Sequence, residues 1–201
     1  MLVESATTTM PQTAYNDLLL QRDGNRYRWE LLENRNLTLQ HLDTNEVLKT
    51  VRLGIECGRL PEDTGTDVPA ILGKFGLLKD GVLNNAAAVL FGKHEDMEYP
   101  QCLLRLARFK GTDKTVFMDS QRIQGNFFQL LNAAMAFIFK HLSLSGTTDT
   151  LEREEHLTIP YKAIREGVLN SLTHRSYKEA GGSVGIAIYD DRVEIENPGT
   201  F

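Results

Sequence analysis

Apolar positions along this chain fall into blocks, and the period of each block names the element it predicts. Val47, Leu48, Val51 and Ile55 recur three or four residues apart, the spacing of one face of a helix that advances about 100° per residue. Asp43 followed by Glu46 is a capping-box pattern, and Gly58 is placed to end the helix in the left-handed conformation, so a helix is expected over about 44–57. A shorter helix should run through Ile71, Leu72 and Phe75, capped by Thr66 or Asp67 and stopped by Gly76. The run GLLKDGVLNNAA then turns at Asp80-Gly81 into a strand. Two helices, a turn and a strand suggest a winged-helix-like subdomain over 36–83. Its basic residues at 49, 52, 59, 74 and 79 are scattered, which favours a packing role over DNA contact.

From residue 84 the pattern reads as β. Residues 87–92 form a short apolar run, and 102–110 alternate Leu104 and Leu106 with Arg105 and Arg108 before reaching Phe109, so two neighbouring strands are expected. The outward face of a half-buried strand carries charge, and Arg105 and Arg108 are read as solvated residues rather than phosphate ligands. Residues 125–141 place Phe127, Leu131, Ala134 and Ile138 at helical spacing, with Phe128, Met135 and Phe139 widening the stripe. That composition marks a buried scaffold helix more than a cofactor box. The run SLSGTTDT at 143–150 reads as a polar loop.

Pro160 stands just before the next helix, where its missing donor costs nothing. Along that helix Ile164, Val168 and Leu172 form an apolar stripe. Glu166, Asn170 and His174 form a polar one, displaced by two residues, or ~200°. The helix can bury one side and present the other. Val184, Ile186 and Ile188, then Val193 and Ile195, alternate on either side of Asp190-Asp191 as a hairpin.

Bulk properties narrow the field. The 201 residues are 41% apolar and 24% charged, enough for one large or two small globular domains. A net charge of −5 gives no whole-chain attraction for phosphate backbones, which disfavours direct DNA binding by these residues. Cys57 and Cys102 have neither a paired nor a metal-ligand spacing, which suits free thiols in a reducing cytoplasm. No apolar run approaches the ~20 residues of a membrane span, and MLVESATTTMPQ lacks a signal-peptide layout. A cytoplasmic protein with no membrane partner is expected. The histidines at 41, 94, 141 and 156 show no zinc spacing, and no Walker A loop, Gly-x-Ser-x-Gly elbow or Cys-His nucleophile pattern is present.

The runs REGVLNSLTHRSY and IAIYDDRVEIENPG carry a resemblance that LNNAAAVLFG, YPQCLLRLARFKGTDKTVFMD and GNFFQLL extend over about 36–201. Together they resemble the RecG-related family of ATP-binding transcriptional regulators. In that family a Schlafen/AlbA-type N-terminal domain precedes a divergent ATPase domain of the GHKL class (gyrase, Hsp90, histidine kinase, MutL). The resemblance implies an α+β protein: a small helical, winged-helix-like subdomain followed by an α/β sandwich with a truncated GHKL-like, Bergerat-type module. Residues 1–35 would be the tail of the AlbA-type domain or a linker, 36–83 the helical subdomain, 84–150 an α/β middle segment and 151–201 the start of the ATP-binding module.

By the same resemblance Glu166 takes the catalytic position that orients water, and Asn170 ligates Mg²⁺. Asn197 and Gly199 of Asn197-Pro198-Gly199 stand where GHKL proteins read adenine with an Asp-x-Gly-x-Gly turn. ATP and Mg²⁺ are the implied cofactors. His174 and Arg175 either contact a nucleotide phosphate or complement the helix dipole, and Gly181-Gly182 reads first as a helix cap and turn. The glycine-rich lid that follows the turn in GHKL proteins has no counterpart before the sequence ends at Phe201, so half a nucleotide site and a fragment of a longer protein are expected.

The implied function is that of a nucleotide-sensing transcriptional regulator, reaching DNA through a domain mostly outside these residues and with a homodimer as a further partner. Weak ATPase activity would belong to the whole protein only. Two alternatives stay open: a module that keeps the fold without the nucleotide site and serves interaction or dimerisation, and an ATP-dependent DNA helicase-related protein, which needs motor motifs that cannot be read here.

Overall fold

Residues 11–12, 28–93, 99–142, 144–147, 154–157 and 159–199 are described by a computed structural model of the chain. Most of the 1–35 segment, expected to be a domain tail or linker, lies outside them. In the first half, helix α1 (Thr44–Glu56) starts where Asp43 accepts hydrogen bonds from the backbone N–H of Asn45 at 3.0 Å and Glu46 at 3.1 Å. Helix α2 (Val68–Lys74) is capped by Asp67, which accepts from the Ala70 N–H at 3.1 Å, so Asp67 and not Thr66 fills that role. Three short strands follow the same logic of local signals. Strand β1 (Glu33–Asn34) pairs with β3 (Val82–Asn84), which pairs with β2 (Leu78–Lys79). The β2–β3 turn places Asp80 (φ 50°) and Gly81 (φ 79°) in the left-handed region, as a tight hairpin with matching twist requires.

Residues 87–92 are not a strand. They belong to helix α3 (Asn85–Phe91), capped by Asn84, whose side chain accepts from the Ala87 N–H at 3.1 Å. A short apolar run has no period that separates strand from helix. Here Ala86, Ala87 and Ala88, the best helix formers, together with an asparagine cap decide it. Ala87 and Phe91 then pack with Val47, Val51, Ile71 and Leu83 in a first core.

Strict alternation builds the second core. Strand β4 (Leu103–Phe109) pairs antiparallel with β5 (Phe117–Gln124) and parallel with β8 (Val184–Ile188), which pairs antiparallel with β9 (Val193–Glu196). The sheet order is β5-β4-β8-β9. Registers align the residues in rows across the sheet. Gln121–Leu106–Ile186–Ile195 and Asp119–Arg108–Ile188–Val193 look one way, and Arg122–Arg105–Gly185–Glu196 and Ser120–Ala107–Ala187–Glu194 look the other. Helices α4 (Phe127–His141) and α5 (Tyr161–Thr173) cover the first face, burying Leu104, Leu106, Val184 and Ile186 against Leu131, Ile138, Val168 and Leu172. The partner strand expected for 102–110 is therefore β5.

Arg105 is exposed, as expected, but Arg108 is not on its face. Residues three apart on a strand point to opposite sides, and Arg108 turns toward the helices with its side chain 15% exposed. It pairs with Asp190 and donates to the backbone carbonyls of Phe109 and, at 3.3 Å, Ile188. Residues 144–147 also depart from the loop expected of them: β6 (Leu144–Thr147) pairs antiparallel with β7 (Glu154–Leu157), a partner that local polarity does not reveal. The rest of that loop lies outside the described residues. The chain is thus mixed α+β, with α4 at the seam of the two cores, where Phe128 stacks on Phe91 at 5.7 Å and Asn126 Nδ2 donates to the Gly92 carbonyl at 3.0 Å. Among the described residues no helix is long and apolar enough to cross a membrane.

Ile186, 2% exposed at the centre of the sheet, should lose about 2–5 kcal/mol of stability on truncation to alanine. Asp43→Ala should cost about 1 kcal/mol, the value of one helix cap. Urea unfolding followed by circular dichroism separates the two.

Candidate functional site

Helix α5 divides as its sequence predicts. Ile164, Val168 and Leu172 are 5%, 0% and 1% exposed, whereas Glu166, Asn170 and His174 are all exposed. The helix lies close on β9, since a Cβ added at Gly167 would stand 3.2 Å from Ile195 Cδ1. At its end the His174 N–H donates to the Asn170 carbonyl at 2.9 Å, and the chain turns through 175–183 into β8.

Asn197-Pro198-Gly199 docks on that end. Asn197 Nδ2 donates to the Ser171 carbonyl at 3.3 Å, and the Ser176 N–H donates to the Pro198 carbonyl at 2.8 Å. A Cβ at Gly199 would lie 2.4 Å from the His174 carbonyl oxygen, so only glycine allows this approach. The fold therefore gathers Asn170, His174, Asn197 and Gly199 at the C-terminal end of α5, with Glu166 one turn back on the same exposed face. Among the described residues no cluster of three or more His, Cys, Asp or Glu side chains could hold a metal. A cation here would rest on the Asn170 amide oxygen, completed by waters and phosphates, an arrangement that suits Mg²⁺.

Arg175 corrects both readings of it. It is neither a phosphate ligand nor an exposed counter-charge to the helix dipole, being only 5% exposed. Its guanidinium donates to the carbonyl of Gln101, to that of Gly182 at 3.0 Å and to that of Ser176 at 3.3 Å. The same group lies over the Tyr177 ring, 4.9 Å from its centroid. Arginine's fixed fork thus ties the segment before β4 to the loop before β8, while burial pulls its pKa down and the neighbouring Tyr177 opposes that. Gly182 serves as a turn and acceptor, whereas the helix cap expected of the double glycine falls at His174.

Below this tie Tyr177 stacks on Trp29 (6.3 Å, 12° between planes), and Trp29 meets Tyr99 edge-on at 5.5 Å. Cys102 is buried against them, and burial pushes its thiol up to about 12, with Arg175 pulling the other way. Gln101, Tyr177 and Trp29 escaped the sequence reading because nothing local marks them. The Arg175–Gln101 contact spans 74 residues.

A concavity of about 290 Å³ lies at the other end of the sheet among Arg108, His141, Ile159, Asp190 and Arg192. Its polar groups are already paired: Arg108 with Asp190, His141 and Lys140 with Asp119 at 2.8 Å each, and Arg192 with Asp191 and Glu194.

No family model matches the chain, and no curated protein matches it. Among solved structures, the crystal structure of the DIP2311 protein from Corynebacterium diphtheriae is similar, at 14% identity and a TM-score of 0.66. The similarity covers 87% of this chain and 34% of that one, so the chain spans about a third of that protein's length. At such identity the likeness is one of fold.

Arg175→Met would leave the carbonyls of Gln101 and Gly182 without their donor and should cost about 1–3 kcal/mol by thermal or urea unfolding. Thiol titration of the native protein with a disulfide reagent should count one cysteine, the exposed Cys57, and a second only after unfolding. Because Cys102 holds its proton more tightly folded than unfolded, stability should be level below about 9 and fall as pH rises toward about 12. A pH series of unfolding midpoints reads this against a Cys102→Ala control.

Proposed function

We propose that α5 and the Asn197-Pro198-Gly199 turn form part of an Mg–ATP site in a GHKL-like module, and that the chain is the nucleotide-sensing portion of a RecG-related transcriptional regulator. What carries the reading is the meeting of two separate runs. The exposed Glu166–Asn170–His174 stripe ends where the Asn-Pro-Gly turn docks, by the Asn197–Ser171 bond at 3.3 Å and the close seat of Gly199.

The residues suit the group. Asn170 offers an amide oxygen on an open surface, at a helix end whose partial negative charge favours a cation. With Nδ2 of Asn197 committed to Ser171, its Oδ1 is left to accept from an adenine amino group, which supplies the acceptor that an Asp carboxylate gives in other GHKL proteins. Glu166, one turn from Asn170, would hold a water beside the phosphates. The bound Mg–ATP supplies polarised phosphoryl groups and a binding signal. DNA would be contacted elsewhere in the protein, with the α1–α2–β2–β3 unit as the winged-helix-like connection.

A second reading, a fold retained as an interaction module without nucleotide, draws support from Arg175, the cation that the sequence offered to a phosphate, whose guanidinium is buried and occupied by carbonyl oxygens.

Calorimetric titration of Mg–ATP into the chain, alone and within a longer protein that contains it, tests both. Binding is expected in the longer protein, and Asn170→Ala should weaken it about 10-fold or more while leaving thermal unfolding unchanged. Affinity retained by Asn170→Ala would refute the magnesium role, and absence of affinity in both proteins would select the interaction module.

A further inference from the structure

The sheet face turned away from the helices is unlike an ordinary solvated face. Arg105 and Arg122 stand directly opposite each other on β4 and β5, both exposed, and among the described residues neither has an ion pair or side-chain hydrogen bond. Like charges in this position repel and destabilise a strand pair. The register continues their row through Gly185 to Glu196 on β9. Read across the sheet, the row is positive, positive, neutral, negative. The next row, Ser120–Ala107–Ala187–Glu194, ends on the same acidic edge, and its two alanines with Gly185 make a low floor between the charged borders. Glu196 has its side chain 71% exposed and a single lysine, Lys114, at 3.5 Å.

Such a row is complementary to itself. A two-fold axis parallel to the strands, lying over the middle of the face, turns β5 of one copy over β9 of the other. It sets Arg122 opposite Glu196 twice, and brings Arg105 of each copy over the bare Gly185 of the other. Stacked sheets sit about 10 Å apart, a spacing that the glycine and alanines permit. At the end of the same face Phe117 and Met118 are 61% and 62% exposed, next to the Phe109–Tyr189 stack, and supply apolar area at its border. We infer that the outer face of the four-stranded sheet is a homodimer interface, in which the Arg105/Arg122 pair of one copy is neutralised by Glu196 of a second copy. An isologous contact of this kind closes after two chains. The acidic β9 border and the net charge of −5 argue against a phosphate backbone as the occupant. The inference is independent of the nucleotide site.

A charge exchange tests it by sedimentation equilibrium at low salt. The unaltered chain should have the mass of two chains, dissociating as salt rises. Arg122→Glu alone and Glu196→Arg alone should each weaken self-association about 10-fold or more, since each alteration enters the symmetric contact twice. An equimolar mixture of the two variants should recover the two-chain mass, because the carboxylate introduced at position 122 of one variant then meets the guanidinium introduced at position 196 of the other. Circular dichroism and melting temperature like those of the unaltered chain establish that each variant is folded. A single-chain mass for the unaltered protein would overturn the proposal. So would a two-chain mass retained by either variant, a mixture of folded variants that stays monomeric, or single-chain protein that shifts an oligonucleotide through Arg105 and Arg122.

Discussion

The parallel pairing of β4 with β8 is the contact on which the remainder of the fold rests. Leu104 meets Val184 there and Arg108 meets Ile188, and parallel strands so far apart in the chain can be joined only by a long crossover, which here contains β5, α4, the β6–β7 hairpin and α5. The pairing must hold one register, since a slip of one residue would trade Leu104, Leu106 and Ile186 for Arg105, Ala107 and Gly185 on the core face. An arginine fastens each end. Arg175 ties Gln101, before β4, to Gly182, before β8. At the far end Arg108 reaches the Ile188 carbonyl and Asp190, and the Gly111 N–H donates to the same carboxylate at 2.8 Å. Hydrophobic rows supply the bulk of the stability, and the two charged clamps select the register in which those rows align.

From that register follows the position of α5. Its apolar stripe seats on the β8–β9 half of the sheet, and Gly167 lets it come close, so the opposite stripe is displayed without any residue of its own to hold it. The Asn-Pro-Gly turn reaches the helix end because β9 runs antiparallel to β8 and delivers residue 197 beside the start of β8, where Gly182 meets Pro198; a Cβ there would lie 2.6 Å from the proline ring. Close approach at Gly182 and Gly199 fixes the turn against a helix C-terminus, whose carbonyls favour a cation over an anion. The electrostatics of that end therefore match a metal ligand better than a direct phosphate contact.

What the sequence disclosed divides by range. The caps at Asp43 and Asp67, the Asp80-Gly81 turn, the two stripes of α5 and the β8–β9 alternation are set within a few residues, and local pattern expressed each of them. The helix at 85–91 was hidden because an apolar run has no second face to mark its period, and Arg108 was misplaced through parity alone. The candidate site was half legible. The shared face of Glu166, Asn170 and His174 is a matter of helical spacing, whereas the convergence of 197–199 on 171–176 depends on sheet order, which no local signal encodes. Arg175 was unreadable for the same reason: its partner Gln101 is brought near by β4–β8 pairing, and a charged residue after a helix resembles any other surface cation until that pairing is known.

Arg175 also shows why this position demands arginine. Its burial carries a cost, for its Nε–H is buried without a partner among the described residues, as is the Oε1 of Gln101, and a desolvated cation is expensive. The compensation comes from charge-assisted bonds to carbonyls that lead into two different strands and from the Tyr177 ring beneath. A lysine would bring one compact ammonium and could not span both strand entrances in a plane. A hydrophobic residue would avoid the cost and leave the carbonyls unpaired. The planar fork alone answers the geometry that the parallel pair creates, so the residue that resembles a phosphate ligand in sequence is better explained as the clasp holding the candidate site onto its sheet.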